Sequence, residues 1–328
     1  MKNYSQPLFL ADIFDNSFKL IGKTFTRTIT VAAILIIPGS ILLAVGLDWF
    51  YSTIGDFMMM EQSGEEIGIE QAFKMFAGMF LLVPGGIIFV VAAAGAKTAC
   101  TLIVCNQISG REISWNESLR QAFRLRVWRV LGQGFLEYGL YFGMMLCAGV
   151  VIVVVAAASL KLGFLLIIVM MFSAAGVAMY CSIRWLFTIQ AIVWDESGVM
   201  TSFGRSAQLV TNYWWRTFGI VILFSLLVGF AESLISTPIM FLTMWNFYSS
   251  YFHSVASSGT ETVDPAMVGQ MMSSIGYAIG IYTVISTIFT MIIEPVYRSV
   301  MYFDLRARKG EFTEHESLRP FATYFGQK

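Results

Sequence analysis

This chain has few of the groups on which active-site chemistry is usually built. It holds two histidines, His253 and His315, in different connecting segments, so a shared metal or a catalytic triad is not expected. No Gly-rich phosphate loop, H-E-x-x-H pattern or nucleophile elbow occurs. Glu311, Glu314 and Glu316 around His315 read as a solvated face. Four cysteines, Cys100, Cys105, Cys147 and Cys181, lie in or at the ends of apolar runs without metal-ligand spacing. They read as small packing residues, not as a disulfide framework or a metal centre. Charge is scarce too, at 13% of residues, where a soluble domain carries about a quarter. Net charge is zero, and nucleic acid is not an expected partner. The first twenty residues lack a basic stretch followed by an unbroken apolar one, so no cleaved signal is expected. The chain is thus expected to be no enzyme, with no catalytic residue, metal or cofactor.

Apolar residues are abundant instead. They make up 57% of the chain, and the mean hydropathy is +0.70. Several runs exceed the roughly 20 residues that cross a bilayer as a helix. The expected fold is all-α, a polytopic membrane protein with one integral membrane domain over 1–328. Six spans are expected at about 28–47, 77–105, 131–158, 162–190, 215–243 and 269–303.

The charges are segregated by sign. Lys19, Lys23 and Arg27 precede the first span, and Arg111, Arg120, Arg124, Arg126 and Arg129 separate the second from the third. Arg184, Arg205 and Arg216 surround the fourth-to-fifth connection, and Arg306, Arg308, Lys309 and Arg319 follow the sixth. The alternate loops are acidic or nearly uncharged, holding only Lys74 and Lys161 of the 21 basic residues. The positive-inside rule then puts both termini in the cytoplasm, in a bacterial inner membrane. In the outer loops, aromatic belts are expected at Trp49–Tyr51 and around Trp245 and Tyr248. Partial helix is expected in 65–76, and little regular structure in 253–264.

A repeat lies beneath this topology. Each outward-going span follows an amphipathic stretch, at about 8–25, 114–129 and 199–212. Their apolar stripes are Ile13, Phe14, Phe18 and Ile21; Trp115, Leu119, Phe123 and Val127; and Met200, Phe203, Ala207 and Val210. Ser114 and Glu117 form a capping box on the second. Three interfacial helices, each leading into a hairpin of spans, would sink apolar side chains to acyl depth while arginines meet lipid phosphates. The alternative is that they pack on protein.

Ionisable groups within spans cost about 2.5–3.5 kcal/mol each on insertion scales and so carry a functional hypothesis. Lys97, Glu137, Arg184 and Glu294 fall toward the cytoplasmic ends of four spans, and pairs Lys97–Glu137 and Arg184–Glu294 would close a neutral cluster. Such a cluster is either a polar cavity for a head group or a set of ion pairs locking the bundle. Glu232 lies further out, without an obvious basic partner. Pro38, Pro84, Pro238 and Pro295 interrupt spans, as transporter helices can be interrupted. Gly139-x-x-x-Gly143 and Gly276-x-x-x-Gly280 read as close helix contacts.

Two stretches carry a family likeness. TSFGRSAQLVTNYWWRTFGI is similar to the A-x-x-R-S-x-x-L-V-x-x-x-x-W-R lead into a late span of bacterial glycerophosphoryl diester phosphodiesterase membrane domains. Arg205, Ser206, Leu209, Val210, Trp215 and Arg216 match. YRSVMYFDLRARKGEF resembles the Y-x-D-L-R-x-R exit from their last span, through Tyr302, Asp304, Leu305, Arg306 and Arg308. The family's exit is usually followed by Glu-Gly, whereas here Lys309 leads into Gly310-Glu311. The hydrolase barrel is absent, so the resemblance implies the membrane part and not phosphodiester hydrolysis.

From the residues alone, Asp304 is expected to accept hydrogen bonds from an arginine on a neighbouring amphipathic helix, Arg205 being first choice. Arg120, Arg124, Arg205, Arg216, Arg306, Arg308 and Lys309 are expected to meet lipid head groups or anchor helices. The sequence thus points to a membrane protein whose partners are phospholipids, which it binds or translocates, with a small amphiphile as the other cargo. The alternative is a scaffold or partner subunit, docking another protein or a second copy, with its buried charges purely structural.

Overall fold

A computed structural model describes residues 6–63, 69–258 and 265–311. Among these, the secondary structure is helical and contains no strand. The helices are α1 (Leu10–Ser63), α2 (Ile69–Ile108), α3 (Trp115–Gln121), α4 (Val127–Ala158), α5 (Leu160–Arg184), α6 (Thr188–Val193), α7 (Val199–Val210), α8 (Trp214–Thr243), α9 (Trp245–Ser258) and α10 (Pro265–Arg308). A π-helical turn, Ala122–Arg126, joins α3 to α4. Six stretches are long and apolar enough to cross a membrane: Leu10–Asp56, Phe76–Ile108, Trp115–Val155, Leu166–Val193, Trp214–Thr243 and Ala278–Arg308.

The amphipathic stretches differ in how they meet the spans. The first runs into its span as one helix, because no breaker falls at Arg27–Thr28 and a lone Gly22 costs too little to end it. The second starts at the Ser114 cap, whose Oγ accepts from the Glu117 N–H, and continues through the π-turn into α4. Only the third is a separate helix, α7. It ends at Val210 with Thr211 as its cap, and Asn212 takes the left-handed conformation (φ 73°) that asparagine tolerates before α8 begins. The segments expected to be outer loops also carry more helix than expected. α1 continues to Ser63, and α9 covers 253–258; residues 64–68 and 259–264 lie outside the described residues. Pro38, Pro84, Pro238 and Pro295 all sit inside continuous helices.

The chain divides into two compact units. One combines Met1–Thr24, Thr98–Phe224 and Glu294–Lys328. Its core buries Ile13 and Leu20 of α1, Ile103 and Val104 of α2, Phe187, Ile192 of α6, Leu209 of α7, and Val300, Tyr302 and Phe303 of α10. Phe224 stacks between Phe14, at 4.3 Å, and Tyr297, at 4.6 Å, so one aromatic column joins α1, α8 and α10. Offset ring stacking adds to the area that these side chains bury. Every residue of α6 is buried.

The other unit combines Phe25–Lys97 and Ser225–Ile293. Ala32, Ile36, Ala96 and Met291 form its buried cluster, against Leu35, Phe89, Ala93 and Ile288. Small residues let the helix backbones approach. A side chain at Gly276 would meet the Asp48 backbone at 2.5 Å, and one at Gly280 would meet Ala44. This glycine pair serves packing as expected, but Gly139 and Gly143 have open space around them and serve no such contact. They lie on α4, whose span has no buried residue in its most apolar window, so nothing presses on them.

Candidate functional site

The exit of α10 divides its polar side chains between two networks. Residues four apart share a face of a helix, so Tyr302 pairs in direction with Arg306, and Asp304 with Arg308. Asp304 is fully buried and accepts from Arg216 Nη1 at 2.6 Å, the Leu8 N–H at 2.7 Å and Arg308 Nε at 3.1 Å. The Leu8 carbonyl accepts from Arg308 Nη2 at 2.6 Å and Arg216 Nη2 at 3.0 Å. The Leu8 carbonyl and the Asp304 carboxylate are thus gripped by two guanidinium forks, a geometry that suits arginine and not lysine. The arginine of Asp304 is therefore Arg216, at the start of α8, and not Arg205 of α7.

Arg205 belongs to the second network. It binds Glu311 through both Nη atoms, at 2.7 and 2.5 Å, and Asp195 through Nε at 3.1 Å. Arg306 Nε reaches Glu311 at 2.9 Å, and Tyr302 Oη donates to Asp195 at 2.5 Å. Burial opposes charge on both Glu311 and Arg205, but their mutual hydrogen bonds outweigh it. The Glu311 carboxyl is held below the ordinary carboxylate value and the Arg205 guanidinium above its own. Ser206, next in sequence, accepts from the Phe187 N–H at 3.0 Å and donates to the Arg184 carbonyl at 2.9 Å. It bridges the turn between α5 and α6, where backbone groups need partners. Lys309 donates to the Thr211 carbonyl at 3.1 Å. Of the matched motif residues, Arg216, Asp304 and Arg308 bind one another, and the partners that sequence reasoning missed are Leu8, Asp195 and Glu311. A backbone peptide has no sequence signature, and these carboxylates stand in loops whose packing no local period reveals.

The expected inner-leaflet cluster is rearranged. Glu294 pairs with Arg298 on its own helix, a residue that the expected cluster omits although it lies at i+4. Arg184 is exposed, and its Nη1 donates to the Tyr180 hydroxyl at 2.9 Å, not to Glu294. Glu137 accepts from Gln133 Nε2 at 2.5 Å and from Tyr141 Oη at 3.4 Å. Tyr141 in turn meets Ser182 Oγ at 3.0 Å, so a polar lane climbs α4 and crosses to α5. Glu137 lies within electrostatic reach of Arg298, and both Glu137 and Arg184 of Cys181. Lys97 is half-buried on α2 and falls in the other unit, as does Glu232, whose Oε1 is buried without a hydrogen bond.

Arg120 and Arg124 face outward, whereas Arg126 pairs with Glu196 at 2.7 Å and Arg129 donates to the Glu196 carbonyl at 2.7 Å. Arg120 is 80% exposed beside Glu117, and exposed Arg124 makes no ion pair among the described residues. Large apolar neighbours share this exposure: Phe123, Leu125 and Trp128 here, Phe9, Phe18 and Phe25 on the first stretch, and Met200 and Trp215 on the third. The face toward the protein mixes small or hydroxyl residues, Ser17, Thr24, Ser118, Ala122, Ser202 and Ser206, with apolar ones, Ile13, Leu20, Val127, Leu209 and Val210, all buried. The expected apolar stripes are thus only partly the buried ones. Beside Arg216, a groove of about 470 Å³ is walled by Leu10, Trp215, Gly219, Ile220, Ile222 and Leu223. Among the described residues, no group of three or more His, Cys, Asp or Glu is placed to hold a metal ion. No known family, curated protein or solved structure matches this chain.

Proposed function

We propose that this chain is a non-enzymatic, multi-pass protein of a bacterial cytoplasmic membrane that binds phospholipid, or a small amphiphile, from the cytoplasmic leaflet. One observation carries this reading. On all three stretches that lead into the first, third and fifth spans, some large apolar side chains, among them Phe18, Phe123, Trp128 and Met200, are exposed close in sequence to basic residues, opposite a face that packs on the protein. That arrangement suits a helix lying at the boundary of head groups and acyl chains, with arginines at phosphate depth. The segregation of basic residues supports cytoplasmic termini, and the three stretches are read as three repeated interfacial-helix-and-hairpin units. The groove beside Arg216 supplies an apolar wall of the kind that an acyl chain requires. The resemblance to the phosphodiesterase membrane domains is consistent with a lipid-facing role.

A second reading, a partner subunit or scaffold, is favoured by a different observation. No residue in the most apolar window of Trp115–Val155 is buried, which leaves a span free to receive another helix.

Native mass spectrometry of the protein released with its own lipids separates the two. Retained phospholipid that falls severalfold in Arg184→Ala supports the proposal. A chain that keeps a protein partner and no phospholipid overturns it.

A further inference from the structure

We propose that the clamp around Leu8 and the groove beside it form one site for phospholipids of net negative charge. The phosphate lies at Arg216, Arg308 and Lys309, and an acyl chain lies along the groove. This inference rests on the phospholipid-binding reading above and names the place and the class of lipid.

Shared contacts bring the three cations together. Arg216 and Arg308 both bind the Asp304 carboxylate, at 2.6 and 3.1 Å, and both bind the Leu8 carbonyl, at 3.0 and 2.6 Å. Arg308 and Lys309 both lie over the Tyr213 ring, each 5.9 Å from its centroid. Lys309 also donates to the Thr211 carbonyl, in the turn that carries this ring. Arg216 in turn lines the groove of about 470 Å³, with Leu10, Trp215 and Ile220. Cations and groove are therefore contiguous.

Charge and depth give the sign of the ligand. Among the described residues, Asp304 is the one carboxylate that these three cations bind. It is fully buried, whereas the Arg216 and Arg308 side chains keep 26% and 23% of their surface exposed and Lys309 is exposed outright. The anion lies behind the cations, so an approaching group meets positive charge first. Neighbouring carboxylates leave this excess in place. Asp195 and Glu311 are matched by Arg205 and Arg306. Asp12 caps the Phe9 N–H, and even its full charge leaves the cations outnumbering the carboxylates.

Donors also remain for phosphate oxygens. Arg216 Nε and Arg308 Nη1 make no hydrogen bond among the described residues, and Lys309 Nζ makes one. Guanidinium groups suit phosphate. A zwitterionic head group would bring its own ammonium against the same positive excess, with Asp304 out of reach. The surroundings suit a lipid better than a free anion: Trp215 is 77% exposed and Leu10 46% exposed at the mouth of an apolar groove. An indole in that position is favoured at head-group level.

The test is lipid competition on the full-length protein in nanodiscs holding phosphatidylcholine, phosphatidylethanolamine and phosphatidylglycerol in equal parts. Native mass spectrometry counts the lipids that stay bound. The expected result is enrichment of phosphatidylglycerol over both zwitterions. Lys309→Gln removes an exposed cation and should lower the enrichment about fivefold, the worth of one cation near an anionic head group. Lys309→Arg should keep it. Gly219→Leu places its Cβ in open space, so the fold is kept, and fills the groove; it should lower retained phosphatidylglycerol severalfold. Enrichment that is absent from the wild type, unchanged in Lys309→Gln or lost equally in Lys309→Arg overturns the inference and leaves phospholipid binding standing. So does retention unchanged in Gly219→Leu. Wild-type protein that retains no phospholipid overturns both.

Discussion

Arg216 and Asp304 meet at 2.6 Å across 88 residues of chain, and the peptide of Leu8 is clasped between them. One buried carboxylate therefore fastens three separate parts of the chain: the residues before α1, the first turn of α8 and the last turns of α10. Arg308 completes the clamp from the same helix as Asp304.

Removing that charge should cost more than any other single polar change in this unit. Asp304→Asn keeps the shape but leaves two guanidinium groups facing a neutral amide, and breaking a buried pair costs about 3–5 kcal/mol. Thermal unfolding in mild detergent should show a large drop for Asp304→Asn. In a double-mutant cycle with Arg216→Gln the two losses should fall well short of adding. Additive losses would mean that the pair is incidental.

The Glu311 network should give a pH dependence of definite sign. Its carboxyl is held low by Arg205 and Arg306, so its stabilising contribution is complete above the ordinary glutamate value of about 4.3 and is lost as pH falls through the lower folded value. The stability difference between wild type and Glu311→Gln should be constant from neutral pH to about pH 5. It should then shrink with acidification. A difference that grows on acidification would contradict the assignment of Glu311 as an anion in this network.

Helix contacts supply a paired prediction. Gly276→Leu drives a side chain into the α1 backbone at Asp48 and should destabilise by about 1–3 kcal/mol, as overpacking does. Gly139→Leu meets open space and should be close to neutral in unfolding experiments in detergent. The sequence spacing is identical at the two sites, so only the surroundings can separate them.

The same contrast marks how far the sequence carries. Six apolar runs are legible because crossing a bilayer demands length and hydropathy, both of which are local properties. The Y-x-D-L-R-x-R exit is legible as a polar anchor, since alternate residues must serve two faces of one helix. Its partners were not, because a guanidinium 88 residues away and a backbone peptide near the N-terminus leave no period to read. Arg205 and Arg216 stand equally well placed in sequence. Only the turn at Asn212, which separates α7 from α8, decides which of them reaches Asp304. On the three stretches, both outcomes left open by the sequence occur: Ile13, Val127 and Val210 of the expected stripes are buried in protein, while Phe18, Phe123 and Met200 are exposed.

The exposed tryptophans make the depth of these stretches measurable. Trp215 is 77% exposed at the start of α8 and Trp128 is 61% exposed at the start of α4, each beside an arginine. If these stretches lie at the interface, both indoles sit near head-group level, where tryptophan is favoured by its apolar ring and polar N–H. Vesicles containing lipids brominated near the carbonyl end should quench tryptophan fluorescence strongly. Lipids brominated near the chain terminus should quench it less. The chain has eight tryptophans, so the informative quantity is the quenching that disappears in Trp128→Phe and in Trp215→Phe. Loss confined to the shallow bromines places both residues at the interface. Loss from the deep bromines would place the stretches within the spans, and no loss from either would mean that protein covers them.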